Sequence, residues 1–282
     1  MHERLHFQLR QPELYPLPEV AWRILCLTSD LETDSRQLER VIDRDPTLVA
    51  HLLHRANSAQ FSVSGQVSTI HRAAVILGNR RLRGIAVLLS MQGVYGRSKL
   101  GQSVWEHCLA VALASRELAP HCSVRDSEEA FVAGLLHDIG KSVLDRCLPG
   151  EYADLVSSAE TGSLDLLEVE QERLGIDHAQ VGAEMARHWG LPVHLEEAIR
   201  LHHAPSEAVV DPTGCALVQL ADATCRRLGI GSVEPSRPVD PETGPDPYFL
   251  LDPEQVAQIC APVRPLLESE TAYFGIHSSA AS

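Results

Sequence analysis

One stretch constrains this chain more than any other. Phe131 to Leu144, FVAGLLHDIGKSVL, sets His137, Asp138 and Lys141 inside a run that is otherwise apolar or small. Burying ionisable neighbours without partners is costly. A fold that takes this run into its core must therefore bring other polar groups, or a bound ion, to meet it.

The remainder of the chain reads as helices packed on helices. Only 5% of the 282 residues are aromatic, and Leu, Ala and Val recur every three to four positions. The expected class is all-α, a multi-helix bundle with a smaller N-terminal helical subdomain. Pro18 opens a first helix with Val20, Ile24 and Leu27 on one stripe. Asp34 with Gln37 resembles a capping box, and Asp45–Pro46 starts a helix that turns Leu48, Leu52, Leu53 and Ala56 inward. Gly78–Asn79 separates two more helices, and the glycine-rich GVYGRSKLGQ suggests a boundary near residue 98. Beyond it lie a long buried helix around SVWEHCLAVALASRELA, helices opened by Asp126–Glu129 and Asp177–Gln180 boxes, a stop at Gly190 with a restart at Pro192, and an apolar helix with Asp222 in its middle. Gly140 is expected to mark a close approach or a bend. The expected division is 1–98 for an N-terminal helical half, 99–230 for a core carrying the ionisable cluster, and 231–282 for a Pro-rich loop and a final helix capped by Asp252 and Pro253.

Charge narrows the function classes. A formal net charge of -14 repels phosphate backbones and anionic lipid, so nucleic acid and membrane are not expected partners. Arg80, Arg81 and Arg83 are expected to form a solvated face. The seven cysteines, without a C-x-x-C pair, read as reduced core thiols, and the three tryptophans Trp22, Trp105 and Trp189 as core anchors. With no apolar run of membrane-spanning length and no signal-peptide pattern at the start, the expected location is the cytoplasm.

His107, His137–Asp138, His178, His202–His203 and Asp222 lie on different segments that a bundle can bring together in its core. Imidazole and carboxylate are also what a divalent ion takes as ligands. In this order, with HDIGK as the most specific element, the set resembles the HD superfamily of metal-dependent phosphohydrolases. LPEVAWRILCLT, IDRDPTLVAHLLHRANSAQF and IHRAAVILGNRRLRGIAVL make the N-terminal half similar to the HDOD branch, over roughly residues 14 to 230. The resemblance implies one or two divalent ions, with iron, manganese, magnesium and zinc all admissible. His107, His137, Asp138 and Asp222 would hold the first, and His178, His202 and His203 would offer ligands for a second. Asp138 would bridge the ions and orient a water, with Lys141 near a leaving or bridging oxygen.

The chain departs from the cyclic-dinucleotide branch known as HD-GYP. No Glu follows the histidine pair, no D-G-x-G-Y-P element is present, and Ser103 stands four positions before His107. Two readings follow. The first is a bacterial-type regulatory HDOD module that binds a signalling protein or a small ligand. The second is a metal-dependent phosphohydrolase acting on a nucleotide or other phosphoester. Around the motif, only Lys141, Arg146 and Arg200 could meet substrate charge, which favours the first. The competing account of the cluster is a metal-free hydrogen-bond network, and that of Lys141 is neutralisation of a helix C-terminus. His54, His71, His188 and His194 are expected at the surface or at helix ends. Oligomeric state is left open.

Overall fold

Most helices are opened by a side-chain oxygen that satisfies amides which the first turn leaves without partners. The computed structural model describes residues 11, 15–27, 34–57, 66–162, 164–230 and 248–273. In chain order the α-helices are α1 (Glu19–Leu25), α2 (Asp34–Ile42), α3 (Pro46–Ala56), α4 (Ile70–Leu77), α5 (Asn79–Met91), α6 (Lys99–Leu118), α7 (Ser127–Leu136), α8 (Ile139–Cys147), α9 (Glu151–Gly162), α10 (Leu166–Leu174), α11 (His178–His188), α12 (Val193–Leu201), α13 (Pro212–Arg227), α14 (Pro253–Ile259) and α15 (Val263–Tyr273). No strand occurs among the described residues, as the helical periodicity leads one to expect.

Asp45, Ser98, Asp126 and Asp177 each accept from backbone amides at the heads of α3, α6, α7 and α11, and Asp252 with Gln255 closes a complete capping box on α14. At Asp126 the box is only half made: Glu129 turns outward to His194, 3.0 Å away. The expected Asp34–Gln37 box falls where α2 begins at Asp34, whose side chain lies outside the described residues, as do the acidic Pro-rich segment 231–247 and the tail 274–282.

The long helix α6 is the axis of the bundle. It packs on α7, α8, α13 and α15, and from Val104 to Ala114 nearly every side chain is buried. Buried apolar residues continue without a break from the N-terminal helices into this bundle, so a single core crosses residue 98. Tyr95 reinforces the crossing by donating its hydroxyl to the Leu135 carbonyl. The three arginines do not form a free solvated face. Arg80 pairs with Asp126 at 3.3 Å and Arg83 reaches the Leu25 carbonyl, tying α5 to the head of α7 and the end of α1. Trp105 and Trp189 are core anchors, but Trp22 is 43% exposed and holds on by donating its indole N–H to the Trp189 carbonyl. The seven cysteines are free thiols, and all except Cys26 are buried.

Two glycines bring α8 and α11 into backbone contact. A Cβ on Gly140 would lie 1.9 Å from the His178 carbonyl oxygen and 2.7 Å from the Gly182 nitrogen, and a Cβ on Gly182 would strike the Ile199 side chain at 2.7 Å. Gly140 is thus a point of close approach rather than a bend. Because backbone atoms cannot yield as a flexible side chain does, Gly140→Ala must push α8 and α11 apart. The expected loss is about 1–3 kcal/mol of unfolding free energy, read from urea denaturation against wild type.

Candidate metal centre

The approach of α8 to α11 decides which polar side chains meet. His137 caps the C-terminus of α7 and Asp138 is the N-cap of α8, so the pair sits on the elbow between two helices. His107 projects from the buried middle of α6, and His178 is the first residue of α11. His202 ends α12 with His203 beside it, and Asp222 lies on α13. All are buried except His203, which is half-buried.

Asp138 is the hub, with each carboxylate oxygen facing a different set of imidazoles. Its Oδ2 lies 3.3 Å from His137 Nε2 and 3.7 Å from His107 Nε2, while its Oδ1 lies 3.2 Å from His178 Nε2 and 3.5 Å from His202 Nε2. His203 Nε2 is 3.1 Å from His178 Nε2. Two groups of ligand atoms result, His107–His137–Asp138 and Asp138–His178–His202–His203, each lying within 4.8 Å of one another and sharing Asp138.

The donor chemistry fits a metal better than a self-contained hydrogen-bond network. His137 Nδ1 is 2.8 Å from the Gly134 carbonyl and His202 Nδ1 is 2.8 Å from the Ile199 carbonyl. A carbonyl only accepts, so each ring carries its proton on Nδ1 and presents Nε2 toward Asp138. Both of those Nε2 atoms and Asp138 Oδ1 are buried without a hydrogen-bond partner. Native structures rarely leave such atoms unsatisfied, and several that face one another mark a place for an ion.

Electrostatics agrees. Burial pulls His202 down to about 4 and keeps it neutral, as a ligand must be. For His178 burial acts in the same sense, but the Glu170 carboxylate outweighs it and holds the imidazole up at about 9. Burial likewise opposes a charged His137, yet the adjacent Asp138 raises it well above its ordinary value. The carboxylates thus recruit protons where a cation would supply the same charge.

Lys141 and Asp222 are each held by a side chain of opposite charge. Lys141 stands in the first turn of α8 and binds Asp138 Oδ2 at 2.7 Å, so it does not neutralise a helix C-terminus. Asp222 belongs to neither ligand group: Arg226 holds it through Nε to Oδ1 and Nη2 to Oδ2, each 2.8 Å, and His107 Nε2 is 3.0 Å from Oδ1. His54, His71 and His188 are exposed and His194 is half-buried against Glu129. Sequence reasoning missed Arg226 and Glu170. Fully buried Glu170 accepts from the Tyr152 hydroxyl at 2.5 Å and the His178 amide at 2.9 Å, and lies 2.8 Å from His178 Nδ1. Its signal was present: Glu170 shares the buried stripe of Leu166 and Leu174 on α10, where an acid has no reason to be unless something binds it.

The HDOD domain family model matches residues 14–205. Among solved structures, an HDOD domain protein of unknown function from Geobacter sulfurreducens superposes with a TM-score of 0.72 at 22% identity, covering 95% of this chain and 94% of that one. A protein from Shewanella amazonensis provisionally described as a phosphohydrolase gives 0.67 at 23% identity, over 97% and 96% of the two chains. At these identities the likeness speaks for the fold. Ribonuclease Y of Thermus thermophilus is 33% identical over 127 residues, 45% of this chain and 17% of that protein. The chain spans less than half the length of the curated relatives it matches.

Two outcomes are expected at this centre. Because His178 holds a proton up to about pH 9 that a cation must displace, apparent affinity for a divalent metal should rise with pH toward that value, with proton release visible by calorimetry in buffers of different ionisation enthalpy. Glu170→Gln removes the charge that orients His178. It should weaken metal binding about 10–100-fold while circular dichroism stays helical.

Proposed function

The chain belongs to the HDOD domain family, and from that premise we propose a regulatory module whose helical core holds divalent metal and which acts by binding a signalling protein or a small ligand. His107, His137 and Asp138 would hold one ion, and Asp138, His178, His202 and His203 a second. A bound ion would supply Lewis-acid polarisation of an oxygen on an incoming ligand.

One observation carries the choice of binding over turnover: the nearby cations are engaged or turned away. Lys141 is on Asp138, Arg226 is on Asp222, Arg146 stacks 5.1 Å from the Tyr15 ring centre, and Arg200 is exposed. None of these contacts frames a phosphate as a hydrolase requires. No helix among the described residues is long and apolar enough to cross a membrane.

A second reading, a metal-dependent phosphohydrolase, is favoured by the number of ligand atoms gathered around Asp138 and by Lys141 beside it. Asp138 and Lys141 would then be the catalytic pair, the first orienting a nucleophilic water and the second stabilising charge on the leaving oxygen. The relatives named ribonuclease Y would extend this reading to RNA, which a net charge of -14 opposes.

Metal content by mass spectrometry, on protein purified without chelator, tests the shared part. Near-stoichiometric metal is expected in wild type and none in Asp138→Ala, with a lower melting temperature in the variant. Loaded wild type is expected to leave a chromogenic phosphodiester intact. Metal-dependent turnover that disappears in Asp138→Ala would replace the first reading with the second, and wild type without metal after supplementation would contradict both.

A further inference from the structure

Asp222 is the one acid of the expected ligand set that stands outside both ligand groups, and it is held there from one side. Arg226, one turn further along α13, donates from Nε to Oδ1 at 2.8 Å and sets Nη2 2.8 Å from Oδ2 as an ion-pair contact. A charge-assisted hydrogen bond backed by a second close charge contact is a strong hold on a buried carboxylate. Asp222 is buried, and the Arg226 side chain is only 16% exposed, so little solvent screens the pair. On its other side Asp222 Oδ1 lies 3.0 Å from Nε2 of His107, a member of the first ligand group. The carboxylate therefore stands between an arginine and the edge of the metal centre.

We propose that Arg226 is a latch: it keeps Asp222 out of the metal centre, and an oxyanion that draws the guanidinium away releases Asp222 to the ion beside His107. The inference rests on the proposed metal centre and deepens it, because it names the class of small ligand the module answers to, a phosphate-bearing anion. Two requirements of the chemistry converge on it. An arginine paired to a carboxylate lowers that carboxylate's attraction for a cation, so metal and Arg226 compete for Asp222. Planar, bidentate guanidinium also suits a phosphate as well as it suits a carboxylate, so a phosphate can take over the bond Asp222 gives up. Metal and anion would then bind with positive coupling, each favouring the released state of Arg226. Arg226 is a positioning residue here, acting through Asp222.

The test is Mn²⁺ titration calorimetry on the full chain, with helicity and melting temperature checked in every variant. Arg226→Gln, which frees Asp222 from a competing cation, should bind Mn²⁺ about 10-fold tighter than wild type. Asp222→Asn combined with Arg226→Gln should lose that gain, which shows that it runs through the carboxylate. Arg226→Lys, which keeps the charge but not the planar guanidinium, should fall between wild type and Arg226→Gln. At one fixed concentration of inorganic phosphate, Mn²⁺ binding should tighten in wild type relative to Arg226→Gln. Equal or weaker metal binding in Arg226→Gln overturns the latch and makes Arg226 an ordinary support for Asp222. An equal effect of phosphate on wild type and Arg226→Gln overturns the oxyanion as its release. If wild type takes up no metal at all, the proposed centre itself fails and the latch with it.

Discussion

Two carboxylate oxygens on Asp138 face His107, His137 and Lys141 on one side and His178 and His202 on the other. Around that fully buried group the helices have little freedom. An isolated carboxylate at such depth would take up a proton, yet this one is held well below its ordinary value: burial pushes it up, and His137 and Lys141 more than reverse the push. Charge balance at one point in the core therefore requires α6, α7, α8, α11 and α12 to deliver particular side chains to within about a hydrogen-bond length of it.

The surrounding packing serves that delivery. Gly140 and Gly182 allow α8 and α11 to touch backbone to backbone, which brings His178 to Asp138. Behind the imidazoles, the Gly134 and Ile199 carbonyls and the Glu170 carboxylate fix ring orientation. Glu170 is steadied in turn by Tyr152 from α9. The N-terminal segment braces the far ends of the same helices: the Tyr15 hydroxyl lies 2.9 Å from Cys147 Sγ at the end of α8, and the Trp189 indole after α11 donates to the Tyr15 carbonyl. A partner that moved this segment would act on the two helices that carry Asp138 and His178.

Much of this was legible in the sequence because it depends on local rules. Helical periodicity, Asp caps and Pro starts gave the elements, and the pairing of His137 with Asp138 in an apolar run gave the hub. What escaped depends on contacts between distant segments. That Arg226 would turn back along its own helix onto Asp222, rather than outward, cannot be read from a spacing of four that equally suits a solvent-exposed pair. That Arg80 and Arg83 would pin helices together, and that Trp22 would stay partly in solvent, depends on where α1 docks. Glu170 was the recoverable omission, since its place on an apolar stripe could be seen without any coordinates.

The central claim is that Asp138 joins two metal positions. Anomalous diffraction from crystals grown with Mn²⁺ addresses it directly. Two peaks flanking the Asp138 carboxylate are predicted, one in reach of His107 and His137 and the other in reach of His178, His202 and His203. A well-ordered cluster with no anomalous density between these side chains would contradict the account and leave a purely structural polar network in its place.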